Sequence, residues 1–109
     1  MLVVYLEGEE WFRFEPPPKL AGLERRFLEQ MDEDMARGIE LGGRRIDRPD
    51  ARDRGQYVIG QLLMALEADQ PKAAAVMCNY LAQRWPELRA IHVTEGDGAF
   101  EVELDVSGE

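Results

Sequence analysis

The sequence predicts an α+β fold: one domain over residues 1–109, with three helices packed on one face of an antiparallel sheet built from an N-terminal and a C-terminal hairpin, in the order β-β-α-α-α-β-β. Three observations predict it. The chain opens on two runs rich in β-branched and aromatic residues, closes on a run that alternates apolar and acidic residues, and carries between them three stretches with apolar residues every three or four positions. Isolated hairpins are marginal, so the two terminal hairpins are expected to join in one sheet.

Leu2 to Glu7 and Glu10 to Glu15 read as the first two strands, reversed at Gly8, which tolerates the positive φ of a tight turn. Successive strand residues point to opposite sides, so Trp11 and Phe12 cannot both face one core in a regular strand. One of them needs other cover, and Trp11 is a candidate for an interaction patch. Pro16-Pro17-Pro18 offers no backbone N–H to a neighbouring strand, and the last proline suits the first turn of a helix.

From about Lys19 to Arg37, Leu20, Leu23, Phe27, Met31 and Met35 fall on one face of a helix about 28 Å long, with Gly38 as its stop. Residues 39–49, with Gly42-Gly43 and Pro49, read as a loop or irregular stretch. Asp50 followed by Asp53 is N-cap chemistry for a second helix, whose apolar face is Val58, Ile59, Leu62, Leu63 and Leu66 and which ends near Ala68. Pro71 opens a third helix through Ala73–Ala82, and Pro86 ends it near Arg84 by disfavouring helical dihedrals at Trp85. Leu88 to Thr94 and Ala99 to Val106 make the final hairpin around Glu95-Gly96-Asp97-Gly98. Its last strand sets Phe100, Val102, Leu104 and Val106 on one face against Glu101, Glu103 and Asp105 on the other.

Composition narrows the function. A net charge of −9 and a pI near 4.6 oppose attraction to anionic lipid or nucleic acid. No apolar run approaches the ~20 residues of a membrane span. The N-terminus shows neither the basic region nor the cleavage site of a secretion signal, so a cytoplasmic protein is expected. Eleven of the thirteen basic residues are arginine, a bias that suggests GC-rich coding and a bacterial source.

One histidine and one cysteine leave little material for a nucleophile or a metal site. His92 falls on a strand face with Ala90 and Thr94, where an acid of the neighbouring strand, Glu101 or Glu103, can pair with it. Cys78 lies in the alanine-rich third helix and reads as buried packing. No EF-hand spacing, phosphate loop or nucleophile motif occurs, so no cofactor, metal or catalytic residue is assigned.

Charge is segregated. Glu29, Asp32, Glu33 and Asp34 crowd the end of the first helix, where the helix dipole favours cations. On the stripe defined by Leu23 and Phe27, Asp34 falls near the apolar face and needs a partner. Arg44, Arg45, Arg48, Arg52 and Arg54 follow within eleven residues, interleaved with Asp47, Asp50 and Asp53 for a local charge of +2. The interleaving favours internal ion pairs over a phosphate-binding patch.

The functional expectation is a small acidic protein-interaction or regulatory module without catalytic activity. Its binding residues would be drawn from Asp34, Arg44, Arg45, Arg48, Arg52 and Trp11, and its partner is another protein or a second copy of itself. The alternative is a small-molecule-binding protein or enzyme in which Asp34, Arg44, Arg45 and His92 converge on a pocket. Weak nucleic-acid binding through residues 44–54 ranks third.

Overall fold

The computed structural model describes residues 1–17 and 22–106. Its elements are β1 (Leu2–Leu6), β2 (Glu9–Phe14), α1 (Gly22–Ala36), β3 (Ile39–Leu41), β4 (Arg44–Ile46), α2 (Ala51–Glu67), α3 (Pro71–Arg84), β5 (Leu88–Glu95) and β6 (Phe100–Val106). The α+β class, the three helices and the joining of the terminal hairpins are as the sequence predicts.

The main sheet has the order β2-β1-β5-β6. Each hairpin is antiparallel, but the two meet through a parallel pair, with Val4 beside Ile91 and Tyr5 beside His92. The sheet is therefore mixed at its centre rather than antiparallel throughout. A parallel pair needs a long crossover, and the helical segment between the hairpins supplies it.

Register and alternation put Leu2 and Val4 with Ile91 and Val93 on the helix side, and all four lie in the hydrophobic core with Leu62, Leu63, Cys78 and Leu81. Full burial of each such aliphatic side chain contributes roughly 1.5–3 kcal/mol relative to exposure, more than any surface ion pair in the chain. Val3 and Ala90, paired across the strands, look to the other face together with Tyr5 and His92.

Three expectations are corrected. Residues 39–46 form a hairpin, β3 and β4, with Ile39 opposite Ile46; Gly42 and Gly43, at φ 60° and 79°, supply the two left-handed positions of its two-residue turn. Trp11 and Phe12 both reach the core, because the register between β1 and β2 slips between Val4 and Tyr5 and leaves Trp11 as the extra residue of a β-bulge. Trp11 packs against Phe100, ring centroids 6.2 Å apart.

The third correction concerns α1. Its buried residues are Leu28 and Met35, whereas Leu23 is 78% and Phe27 53% exposed. The docked stripe runs through Leu28, Asp32 and Met35 against α2 and α3. Leu20 lies outside the described residues.

The cap of α2 is as expected: Asp50 accepts from the Asp53 backbone N–H at 2.8 Å, and Asp53 accepts from that of Asp50 at 3.1 Å. Pro71 opens α3, and Trp85 follows its last turn. No helix among the described residues is long and apolar enough to cross a membrane.

Candidate functional site

Asp32 is the polar centre of the helical layer. One turn beyond Leu28, it points from α1 toward α2 and α3. Its Oδ1 accepts the Tyr80 hydroxyl proton at 2.5 Å, and its Oδ2 accepts from Arg84 Nε at 2.8 Å. Arg54 Nε lies 3.8 Å from Oδ1, within ion-pair range but too far for a hydrogen bond, and it is buried without another acceptor. Arg54 also donates through Nη1 to the Pro49 carbonyl at 2.8 Å, which ties the start of α2 to the segment before it.

These groups surround one carboxylate with two guanidiniums and a phenol. Burial pushes the Tyr80 hydroxyl up to about 12, and its hydrogen bond to the Asp32 carboxylate adds to the rise. Tyr80 is therefore a fixed donor at neutral pH. Burial likewise pushes the Cys78 thiol up to about 12, which leaves essentially no thiolate near pH 7. The arrangement is suited to holding charge in place.

Beside this cluster, Ala51, Arg52 and Gly55 of α2 face Tyr80, Leu81, Arg84 and Trp85 across a hollow of about 170 Å³. Its floor is apolar and its edge carries two guanidiniums. Gly55 sets the shape: a Cβ there would stand 3.1 Å from Trp85 Cε3, so glycine lets the indole close onto the helix. Pro86 turns the chain away after α3, leaving Trp85 beside α2 instead of in a further helical turn.

The guanidiniums differ in their commitments. Arg84 gives Nε to Asp32 and lies over the Tyr80 ring, 5.7 Å from its centroid, which fixes its orientation while its terminal nitrogens make no other hydrogen bond among the described residues. Arg52 makes no hydrogen bond or ion pair among the described residues. Asp50 and Asp53 are engaged in the helix cap, so among the described residues Asp32 is the one carboxylate in ion-pair range of Arg54 and Arg84. The hollow carries a local excess of positive charge on a strongly acidic protein.

The residues singled out from sequence do not gather in one place. Arg52 lines the hollow. Asp34 is exposed and accepts from Gln30 of its own helix at 2.9 Å. Arg45 reaches back across Gly38 to donate to the Arg37 carbonyl at 3.0 Å and pairs with Asp47 at 3.4 Å. Its guanidinium occupies the space a Cβ on Gly38 would need, and Gly38 also holds φ 122°, so only glycine suits this helix end. Arg44 and Arg48 are exposed around β4, and Trp11 is part of the bulge.

His92 stacks on Tyr5, ring centroids 5.0 Å apart, on the sheet face away from the helices. Glu103 is opposite it in register. The acidic end of α1 does meet the arginine-rich segment, but through Asp32 and Arg54 rather than through Asp34. Sequence reading missed Asp32, Tyr80, Arg84 and Trp85 as a group. The usable signal was Leu28 and Met35, seven residues apart, which puts Asp32 on the stripe between them.

Compared with known families, curated proteins and solved structures, the chain matches no family model, no curated protein and no solved structure.

Proposed function

We propose that the chain is a non-catalytic protein-interaction module that seats one anchor side chain of its partner, apolar in body and anionic at its tip, in the hollow between Arg52, Arg84 and Trp85. The observation that carries this reading is the combination of size and lining. About 170 Å³ falls below the roughly 300–1,000 Å³ of ordinary ligand and cofactor pockets but accommodates a single side chain. Tryptophan and arginine beside a small apolar depression are the side chains that most often dominate binding energy at interfaces. Arg84, preoriented by Asp32 and Tyr80, loses less freedom on binding than a solvated arginine, and Arg52 gives up no hydrogen bond or ion pair among the described residues.

The test uses 3-phenylpropionate as a mimic of the anchor and 3-phenylpropanamide as its neutral counterpart. The acid is expected to shift the Trp85 indole N–H resonance with a dissociation constant on the order of 1 mM, as befits a fragment of that size, and the amide is expected to leave it unmoved. Arg52→Glu should abolish the shift with the melting temperature unchanged, because Arg52 makes no hydrogen bond or ion pair among the described residues. An equal response to acid and amide, or no response at Trp85, overturns the proposal.

A further inference from the structure

We propose that the free edge of β6 receives an extended segment of a partner protein, basic and apolar at alternate positions, which adds as a fifth strand and lays its apolar side chains into the groove between β6 and α2. This surface is separate from the Trp85 hollow and stands on different observations.

The two sheet edges are unlike. The β2 edge carries the bulge at Trp11 and runs into Pro16 and Pro17, devices that discourage another strand from pairing. By contrast β6 pairs with β5 in unbroken register from Phe100 to Asp105, holds no proline or lysine, and among the described residues has no strand beyond it. Among the described residues none pairs with its outer backbone groups.

The surface next to that edge is a groove. Gln56, Ile59, Gly60 and Leu63 of α2 face Val102 and Leu104 across about 270 Å³, and farther along the same helix face Glu67 stands opposite Phe100 beside Glu95. Val102 is 41% exposed, so the groove presents apolar surface to water. Gly60, exposed on its lining, has nothing within 4 Å of where a Cβ would stand. A glycine inside a helix costs roughly 0.5–1 kcal/mol relative to alanine, and here no close packing within the chain requires it. What glycine does provide is depth for a side chain from outside.

Charge selects the occupant. The face of β6 turned from the helices carries Glu101, Glu103 and Asp105, all exposed, and Glu67 and Glu95 stand at one end of the groove. A second copy pairing antiparallel on β6 would set these carboxylates against their own counterparts, which is destabilising. A strand with lysine or arginine on that face places opposite charges across the new pair, while its other side chains meet Ile59, Leu63 and Val102.

The experiment adds a blocked peptide of strand length alternating Lys and Val to the full chain, with a Glu–Val peptide as its counterpart, and follows the backbone amide resonances. The Lys–Val peptide is expected to shift and protect amides of Phe100–Val106, and the Glu–Val peptide to do neither. Gly60→Leu should weaken the Lys–Val peptide at least about tenfold without lowering the melting temperature, and Glu103→Lys should weaken it by a similar factor. Equal binding of both peptides, unchanged binding to the Gly60→Leu variant, shifts confined to other acidic surfaces, or no binding overturns the proposal. So does a dimer paired through β6 in sedimentation at neutral pH, which would make a second copy the occupant.

Discussion

Asp32 links one carboxylate to partners on two other helices, and removing it separates contributions that the fold combines. Asp32→Ala leaves the Tyr80 hydroxyl without its acceptor and Arg54 without its anion in a half-buried setting; a loss of about 2–3 kcal/mol in urea unfolding is expected. Asp32→Asn keeps an acceptor for Tyr80 and should lose less. Cys78 offers a second test at this scale. Its thiol is raised when folded to about 12, so the unfolded thiol near 9 ionises first; its contribution is complete below pH 9 and is lost as pH climbs toward 12. Tyr80 acts in the same direction between about 10 and 12. Cys78→Ala should therefore lower stability near neutrality by about 1–2 kcal/mol through lost packing, yet flatten the decline of stability between pH 9 and 12. A decline of the same slope in both proteins would show that the thiol is not buried as described. His92 illustrates how far residues speak at this scale: its strand face and an acidic neighbour at Glu101 or Glu103 were legible, but the choice of Glu103 and the stacking on Tyr5 depend on the strand registers.

Among the three helices, α1 is the one with the fewest buried residues. Only Leu28 and Met35 of its fifteen residues are buried, and Asp32 adds the polar tether. Leu28→Ala is expected to cost about 2–5 kcal/mol and to raise hydrogen exchange throughout α1 while the sheet strands keep their protection. Uniform acceleration in all elements would show instead that α1 unfolds only with the whole domain. Leu23, Phe27, Met31 and Met35 have helical spacing, and so do Leu28, Met31 and Met35. The two stripes share two residues, and periodicity alone cannot tell which diverging arm is buried; packing on α2 and α3 selects Leu28. The small β3–β4 hairpin was hidden for a related reason. Its strands are three residues long and dominated by Glu40, Arg44 and Arg45, leaving only Ile39, Leu41 and Ile46 to mark it. The bulge at Trp11 left no local signature, since an extra residue is defined only against the partner strand.

For the molecule as a whole, the strongest local signals were the ones that survived folding. The Asp50/Asp53 box, Pro71, Pro86, the glycines of the turns and the alternation of the last strand each act through a few neighbouring residues, so the α+β class, the terminal hairpins and three helices, the limits of α2 and α3, and the burial of Cys78 were all legible in the residues, while the β3–β4 hairpin was not. Net charge was equally legible, because it is a sum over composition. Tertiary structure decided the rest. The parallel contact of β1 with β5, the choice of Leu28 over Phe27, and the meeting of Asp32, Arg54, Tyr80 and Arg84 all join residues far apart in the chain. The same holds for the two candidate surfaces: the Trp85 hollow exists because Gly55 admits an indole from just past the end of α3, and the β6 groove because α2 lies beside a sheet edge. Short-range chemistry fixes what each segment becomes, whereas the sites arise from long-range packing, where one spacing pattern permits several partners and only the assembled core selects among them.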